Sequence, residues 1–256
     1  MIITDIHMHI IPNVDDGSPS LEESISMLQM SAGQGVGTVI ATPHSWGIEH
    51  YGIEHVLSRF ELLKKAVTAR KIPIHLYLGC EMLVKMKYDP SWMYLDGKGF
   101  PYGDTVDDCI RKLENCGYPT MAGTRYVLAE FDEQEEEENM GPCIQKLVCA
   151  GYIPIIAHAE RYRKITMTIV RELKAYGAKI QINAYSIANE KRDKTRQLAN
   201  GCLSEKLVDF IGSDAHRLDH RPPIISDGVD AMIQLYTEEY ARKVLDDNPR
   251  DLLLRI

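Results

Sequence analysis

The feature that most constrains this sequence is an alternation of short β-branched runs with amphipathic stretches of helical periodicity. Between the runs lie five amphipathic segments, Leu21–Gln34, Ile53–Arg70, Met140–Gly151, Thr166–Tyr176 and Lys191–Leu203. Ser20 followed by Glu23 resembles a capping box that opens the first helix, and Gly201 is among the glycines expected where helices end. Strands that alternate with helices predict an α/β fold whose parallel sheet is covered on both faces and is either open or closed into a barrel. The seven predicted strands are Ile2–Ile6, Thr38–Thr42, Ile74–Leu78, Tyr126–Glu130, Ile153–Ala157, Lys179–Asn183 and Val208–Gly212.

Polar side chains at or just past the carboxyl ends of these strands favour the closed form. In a barrel, all the carboxyl ends converge on one mouth, where catalytic groups gather. In an open sheet, side chains from so many strands could hardly meet at one point. Any one of these residues alone could be a core residue with its polar atoms satisfied, but the whole set after apolar runs indicates a shared site. The residues are His7, His9, His44, Glu81, Glu130, His158, Asp214 and His216.

Two motifs in this set have the spacing of metal ligands. His7 and His9 are separated by one residue at a strand end, so both imidazoles leave the same face. Asp214 and His216 repeat that spacing after the last predicted strand, which barrel closure places beside the first strand. Asp16 lies in the loop after the first strand, where the alternative is an ordinary Asp-rich turn. Five histidines and four carboxylates are too many for one cation, and mixed nitrogen and oxygen donors suit Mn, Fe or Zn better than Ca or Mg.

Length, charge and hydropathy narrow the class of protein. The 256 residues fit one barrel, and we expect a single domain over residues 1–256. A net charge of −8 disfavours nucleic acid as a partner, because such binding draws on Lys and Arg that neutralise phosphates. No apolar run approaches the ~18 residues of a membrane span. The N-terminus lacks a basic region and a cleavage site, so we expect a cytoplasmic protein without membrane insertion.

The six cysteines offer neither a metal-binding pair nor a phosphatase nucleophile. No two of them form a CxxC motif. None is followed by Arg six positions later, so the Cys-x5-Arg loop of thiol-based phosphatases is missing from the sequence. We therefore expect them to be reduced, buried thiols.

At this point the motifs resemble those of a known family, the PHP (polymerase and histidinol phosphatase) superfamily. Within it, the sequence looks most like the bacterial capsule-type protein-tyrosine phosphatases, which depend on manganese. The resemblance runs from Ile2 to about Pro222 and implies a distorted (β/α)7 TIM-like barrel with parallel strands. The motifs are Asp5-Ile6-His7-Met8-His9, Val14-Asp15-Asp16-Gly17-Ser18, Ala41-Thr42-Pro43-His44, His158-Ala159-Glu160-Arg161 and Ser213-Asp214-Ala215-His216.

The resemblance also implies three neighbouring metal positions, with Mn²⁺ as the expected cation and Fe or Zn as alternatives. The first would be bound by His7, His9, Glu81 and Asp214, the second by Glu81 as a bridge with Glu130 and His158, and the third by Asp16, His44 and His216.

The resemblance further implies that Arg161 and Arg221 grip a substrate phosphate, a task that suits the forked guanidinium group. The alternatives are a surface salt bridge of Arg161 with Glu160 and a loop anchor at Arg221. The implied reaction is hydrolysis of a phosphomonoester by a hydroxide that bridges two cations. The implied substrate is phosphotyrosine on a protein, such as a bacterial tyrosine kinase that controls capsular or exopolysaccharide synthesis.

Two other functions stay open at this point. One is a small-molecule phosphatase, for example a histidinol phosphatase. The other is a non-catalytic metal-binding scaffold that recognises phosphorylated partners. The sequence also leaves the oligomeric state open.

The sequence departs from the family pattern at several places. Ala159 stands where Pro is usual, and His220 precedes Arg221 where a small polar residue is commoner. The segment at about 85–124 is longer than in relatives and carries Trp92, Tyr94, Phe100 and Tyr102, so we expect an insertion at the mouth that bears on substrate choice. The acidic run at 132–138 has a simpler interpretation, a solvated loop whose charge suits the N-terminus of the next helix.

Overall fold

Nine strands, all paired in parallel, form the centre of the protein in a computed structural model that describes residues 1–86, 104–133, 135, 137–188 and 194–254. The α/β class and the parallel pairing predicted from the sequence are confirmed. The strands are β1 (Ile3–Met8), β2 (Val36–Ala41), β3 (His75–Leu78), β4 (Glu81–Lys85), β5 (Asp104–Thr105), β6 (Tyr126–Glu130), β7 (Ile153–Ile156), β8 (Lys179–Asn183) and β9 (Phe210–Gly212).

The strands form two sheets that meet at their carboxyl ends. One sheet has the order β1-β2-β3, and the other has the order β5-β4-β6-β7-β8-β9. Single parallel bridges connect them, Met8 with Ala215 on one side and His44 with Glu81 on the other. The result is a distorted barrel whose mouth is formed by the carboxyl ends of both sheets.

The prediction of seven strands was wrong at Glu81. We expected Glu81 just past the end of a strand, but β3 ends at Leu78 and Glu81 begins a separate strand, β4. The chain passes from one sheet to the other at Gly79, where a Cβ atom would lie 2.7 Å from the sulfur of Met121. Only Val84 in β4 is β-branched, so the run gives a weak strand signal. Glu81 still reaches the mouth because its backbone bridges to His44.

The helices cover the outer face of the strands. The five predicted helices all form, with ends shifted by three residues or fewer, and Ser20 accepts a hydrogen bond from the backbone N–H of Glu23 at 3.1 Å as the predicted cap. They are α1 (Leu21–Gly33), α3 (Ile53–Ala69), α5 (Glu137–Cys149), α6 (Met167–Ala175) and α8 (Lys194–Ser204). Helices that the sequence reading did not predict are α2 (Ser45–Tyr51), α4 (Val106–Glu114), α7 (Ala184–Ala188), α9 (Ser226–Leu235), α10 (Glu238–Arg242) and α11 (Asn248–Leu253).

One predicted helix end was wrong. Gly201 was expected to terminate a helix, but α8 continues through it to Ser204. A Cβ atom at Gly201 would lie 2.8 Å from the sulfur of Met167. The glycine therefore allows α6 and α8 to approach closely instead of ending the helix.

Apolar side chains fill the space below the mouth. One cluster packs the helices against the strands, and a second lies among the strands themselves, with Ile40, Leu128, Ile155 and Phe210 almost fully buried. Leu128 shares a strand face with Glu130, because side chains two residues apart point the same way. The apolar interior thus leads directly up to the polar mouth. Among the described residues, the helices are too short or too polar to cross a lipid bilayer.

Candidate metal centre

All nine residues predicted as ligands lie together at the mouth. Six are almost fully buried, His44 and Glu130 are half-buried, and Asp16 lies at the rim with 55% of its side chain exposed. The elements that bring them there are β1, the loop after it, β4 and the carboxyl ends of β2, β6, β7 and β9. The residues are His7, His9, Asp16, His44, Glu81, Glu130, His158, Asp214 and His216.

The carboxylate of Glu81 occupies the middle of the cluster. Its Oε2 lies 3.2 Å from His7 Nε2, 3.1 Å from His9 Nε2 and 3.1 Å from His44 Nδ1. Its Oε1 lies 3.0 Å from His158 Nε2. Four imidazoles from three other elements therefore face one buried carboxylate.

Three overlapping groups of donor atoms have separations of less than 4.8 Å. Their overlap at His9 and His44 means that the assignment of each ligand to one cation stays a prediction. His158 belongs to none of the three groups but lies 3.4 Å from Glu130 in addition to its contact with Glu81. The groups are His7, His9 and Asp214; His44, Glu81 and Glu130; and His9, Asp16, His44 and His216.

The donor atoms of the cluster fit divalent cations. Glu130 Oε2 and His216 Nε2 are buried and lack a hydrogen-bond partner among the described residues, and Glu81 Oε2 forms no hydrogen bond in spite of its short distances to three imidazole nitrogens. Buried polar atoms are nearly always paired, so such a concentration of orphans at one point indicates a ligand. The mixture of imidazole and carboxylate donors suits Mn, Fe or Zn.

The carboxylates and imidazoles of the cluster shift one another's pKa values. Burial raises the pKa of Glu81, but the neighbouring imidazoles of His7 and His44 outweigh burial and hold the pKa well below its usual range. Burial lowers the pKa of His158, but hydrogen bonds to Glu130 and Glu81 raise it to about 10. The carboxylates thus favour a proton on the imidazole of His158, and a metal that binds this imidazole takes the place of that proton.

Several residues that contact the predicted ligands and orient them were not predicted from the sequence. Asp15 Oδ2 lies 2.8 Å from His9 Nδ1 and accepts a hydrogen bond from the backbone N–H of His44 at 3.0 Å. Gln181 Oε1 accepts from the backbone N–H of His158 at 2.7 Å and lies 3.2 Å from His7 Nδ1. Such contacts fix the ring orientation of metal-binding histidines.

Asn183 extends this network to the next ligand. Its Nδ2 donates to Asp214 Oδ2 at 3.2 Å, and its Oδ1 accepts from Gln181 Nε2 at 2.8 Å. The sequence could have indicated this role, because Gln181 and Asn183 are polar residues at alternate positions of a buried strand and therefore lie on the same face.

Both predicted arginines reach the mouth and converge on one ligand. Arg161 Nη1 and Arg221 Nη1 donate to Asp214 Oδ2 at 3.1 Å and 2.9 Å. Arg161 Nη2 also donates to Glu133 at 2.7 Å, so the acidic run has a contact that we did not predict. The side chains of Arg161 and Arg221 remain 26% and 28% exposed and are accessible from solvent.

Of the two alternative roles for these arginines, the structure contradicts the salt bridge of Arg161 with Glu160 and supports the loop anchor at Arg221. Glu160 is buried and accepts hydrogen bonds from Asn183 N and Ser186 Oγ, so a surface salt bridge between Glu160 and Arg161 is not what the structure contains. The backbone carbonyl of Arg221 accepts from the N–H of His216 at 3.0 Å, so this residue also anchors its loop.

Three residues of the centre have left-handed backbone conformations that are rare outside glycine. The φ angles are 29° at His158, 54° at Asp214 and 54° at Arg221. Each conformation costs on the order of 1–3 kcal/mol, and such strain concentrates at functional sites.

Two open clefts adjoin the centre. The larger, of about 790 Å³, is lined by Asp16, Trp46, Tyr51, His220 and neighbouring residues, and we call it the aromatic cleft. Its Trp46 ring stacks beside His44 with ring centroids 5.9 Å apart. The smaller, of about 320 Å³, contains Arg161.

The cysteines take no part in the centre. Cys80, Cys109, Cys143 and Cys202 are buried, as expected, whereas Cys116 and Cys149 are exposed, contrary to expectation. Burial raises the pKa of Cys143 and of Cys202 to about 12, so both stay thiols at neutral pH. A thiolate nucleophile is therefore not available at either buried position.

The sequence matches the family model described as capsular polysaccharide synthesis, CpsB/CapC, over residues 3–92 and 96–254. It is 29% identical to the tyrosine-protein phosphatase CpsB of Streptococcus pneumoniae, with 98% of each chain covered. It is 30% identical to the putative tyrosine-protein phosphatase CapC of Staphylococcus aureus, with 93% of this chain and 86% of that one covered.

Solved structures agree with these matches. The fold superposes with a TM-score of 0.80 and 26% identity on a crystal structure from a study of YwqE of Bacillus subtilis and CpsB of Streptococcus pneumoniae, described as metal-dependent tyrosine phosphatases; it covers 99% of this chain and 95% of that one. A lactonase from Listeria monocytogenes superposes with a TM-score of 0.64 at 14% identity, covering 99% and 95% of the two chains, a likeness of fold alone.

Proposed function

The chain belongs to the CpsB/CapC family, and from this premise we propose that it is a metal-dependent protein-tyrosine phosphatase, which hydrolyses phosphotyrosine. The observation that best supports the proposal is the position of the Asp214 carboxylate between the histidines and the two arginines. One oxygen of this carboxylate lies 3.7 Å from the ring nitrogens of His7 and His9, and the other accepts from Arg161 and Arg221. A cation-binding cluster and two phosphate-binding side chains thus share one residue.

The nine clustered residues would hold the cations, with Glu81 as the bridge. Divalent cations bound there polarise the phosphoryl group as Lewis acids and lower the pKa of a water nucleophile. We propose Mn²⁺ as the native metal, with Fe or Zn as alternatives, because the donors are imidazoles and carboxylates.

The arginines would bind the phosphate and stabilise the charge that develops on it. Their guanidinium groups present paired donors that match phosphate oxygens. Asp214 holds both groups at the rim before substrate arrives, so little reorganisation is needed during the reaction. The aromatic cleft, of about 790 Å³, has the volume to take a tyrosyl ring, and Trp46 offers that ring a flat face next to His44.

The openness of the clefts favours a protein substrate over a small metabolite. A small-molecule phosphatase such as a histidinol phosphatase needs an enclosed pocket that buries most of its ligand. Here both clefts open to solvent, as a phosphotyrosine on a flexible segment requires. A tyrosine kinase of polysaccharide synthesis as the partner and a cytoplasmic location stay predictions of the sequence.

The test is a panel of phosphorylated substrates with metal-reconstituted protein. Apo-protein is loaded with Mn²⁺, Fe²⁺ or Zn²⁺ and assayed on phosphotyrosine peptides, the matching phosphoserine peptides, histidinol phosphate and p-nitrophenyl phosphate. We expect the highest kcat/KM for phosphotyrosine peptides and the highest turnover with Mn²⁺. A higher kcat/KM for histidinol phosphate would assign a small-molecule phosphatase, and tight peptide binding without turnover of any ester would assign a scaffold.

A further inference from the structure

Three of the seven residues that line the smaller cleft beside the candidate metal centre are arginines. Its walls include Arg161, Arg163, Arg196, Glu133, Tyr185 and Ser186, and its volume is about 320 Å³. We call it the cationic cleft. It shares none of its lining residues with the aromatic cleft.

The charge of the cationic cleft contrasts with that of the whole chain. Three guanidinium groups and one carboxylate line it, and the carboxylate, Glu133, is already engaged by Arg161 at 2.7 Å. Two buried carboxylates adjoin the cleft: Asp214 accepts a hydrogen bond from Arg161 at 3.1 Å, and Glu160 accepts hydrogen bonds from Ser186 Oγ and Asn183 N. The lining thus carries three formal positive charges and one negative charge in a chain with a net charge of −8, and this composition favours an anionic ligand.

Backbone contacts hold the walls of the cleft in place. The N–H of Arg163 donates to the backbone carbonyl of Glu133 at 2.9 Å, and Nζ of Lys194 donates to the carbonyl of Arg163. Tyr185 and Ser186 lie on α7, which begins directly after β8. A cleft built on anchored segments can bind a ligand with little ordering cost.

Arg161 belongs to both the metal centre and the cationic cleft. Its Nη1 donates to Asp214 at the centre, while its Nη2 faces Glu133 in the cleft wall. An anion in the cleft would therefore lie close to a phosphate at the centre, within the reach of one peptide. Since a water molecule takes up ~30 Å³, the cleft has room for a carboxylate side chain or a phosphate group.

We propose that the cationic cleft is a specificity subsite, which binds an anionic group adjacent to the phosphotyrosine of the substrate. The anion is the carboxylate of a flanking acidic residue or a second phosphate on the same segment. This proposal rests on the phosphatase function proposed above and adds a sequence preference to it.

The test compares peptides that differ only beside the phosphotyrosine. Each series carries Glu, Gln, Lys or a second phosphotyrosine at one flanking position, and the position is varied on both sides. The assays use the metal-loaded protein and the variants Arg163→Gln, Arg196→Gln and their combination. Turnover of p-nitrophenyl phosphate, which has no flanking residue, normalises every variant. Arg70→Gln is the matched control, because Arg70 follows α3 and precedes β3, at the opposite end of the barrel.

We expect the wild-type protein to favour anionic over neutral peptides by about 10-fold in kcat/KM at low salt, equivalent to about 1.4 kcal/mol. The preference should shrink at high salt, fall toward one in the double variant and persist in Arg70→Gln. Comparison of the Glu and doubly phosphorylated peptides shows which anion the cleft prefers.

Equal kcat/KM for all flanking residues in the wild type at low salt would overturn the proposal. An acidic preference that survives in the folded double variant would overturn it too. Both outcomes leave phosphotyrosine turnover intact, so they differ from a failure of the phosphatase function, in which no peptide and no p-nitrophenyl phosphate is hydrolysed. The wild-type preference and its salt dependence do not require any variant to fold.

Discussion

Glu81 shows how one residue can organise the whole centre. Both of its carboxylate oxygens face imidazoles, and the residue is fully buried. Among the nine predicted ligands, Asp16 is the most exposed: 55% of its side chain is accessible, and it lies at the rim, 3.6 Å from His44 and from His216. Removing a central bridging carboxylate should therefore affect more than one cation, whereas removing a rim carboxylate should affect one.

The first prediction compares these two carboxylates. Glu81→Gln should lower bound metal by more than one equivalent and reduce phosphatase turnover to near background, because it removes a charge that faces four imidazoles. Asp16→Asn should lose one equivalent or less. Elemental analysis of protein purified without chelator, together with turnover at saturating Mn²⁺, measures both effects. Equal metal losses in the two variants would contradict the bridging role of Glu81.

The second prediction concerns the arginines on Asp214. A guanidinium group has no lone pair for a cation, so Arg161→Ala and Arg221→Ala should keep their metal. Turnover should fall by about 30- to 1000-fold, as expected when a charge-assisted contact worth ~2–4 kcal/mol in the transition state is lost. The Lys variants should recover only part of the rate, because a point charge cannot replace the bidentate fork.

Metal content distinguishes this role from a structural one. If either Ala variant loses metal, the arginine is needed to position Asp214 as a ligand. If both keep full metal and full activity, they do not bind the phosphate.

At the scale of secondary structure elements, strand ends were the most predictable part of the molecule. The runs that became β1, β2, β6, β7 and β9 carry ligands at or just beyond their carboxyl ends, and the periodicity of the sequence was sufficient to find them. β4 escaped detection because a short run with charged residues at both ends has little strand character. The contacts of Asp15 with His9 and His44 could not be foreseen, because they depend on how a loop folds back across the barrel.

The third prediction tests the support that β8 gives to the ligands. Gln181→Leu removes the acceptor for the His158 N–H and the contact to His7 Nδ1. Metal affinity should fall by about 10- to 100-fold, a usual effect of losing such an orienting contact. Isothermal titration of the apo-protein with Mn²⁺ measures the change. Gln145→Leu, on the exposed face of α5, is the control and should bind metal as the wild type does. Wild-type affinity in Gln181→Leu would show that the ligands hold their orientation without β8.

At the scale of the whole molecule, the candidate metal centre lies across the joint between the two sheets. The sheet of β1 and β2 contributes His7, His9 and His44. The other sheet contributes Glu81, Glu130, His158 and Asp214. Between their backbones, the two sheets are linked by isolated bridges and a few hydrogen bonds, such as His9 N–H to Ala215 O at 2.9 Å and Glu81 N–H to Pro43 O at 3.0 Å. Below the mouth, an apolar cluster with side chains from both sheets also joins them. Cations bound by residues of both sheets would therefore add a further link between the sheets at the mouth.

The fourth prediction follows from this double role. Chelation should abolish phosphatase activity and also lower the melting temperature. A ligand at ~100 times its Kd stabilises the native state by about 2.7 kcal/mol. At ~2–4 °C per kcal/mol for a domain of this size, the loss is on the order of 5–10 °C. Calorimetry with and without EDTA measures the shift, and calcium-saturated EDTA is the control for the chelator itself.

Hydrogen exchange locates the effect within the molecule. The amides of His9, Glu81 and Asp214, which bond across the joint, should lose protection on chelation more than amides of α3 do. Glu81→Gln, which lacks the central ligand, should show a much smaller shift in melting temperature with EDTA than the wild type. If chelation stops catalysis but leaves the melting temperature and the protection of these amides unchanged, the backbone contacts and the apolar core hold the two sheets together without the cations, which then serve only the reaction.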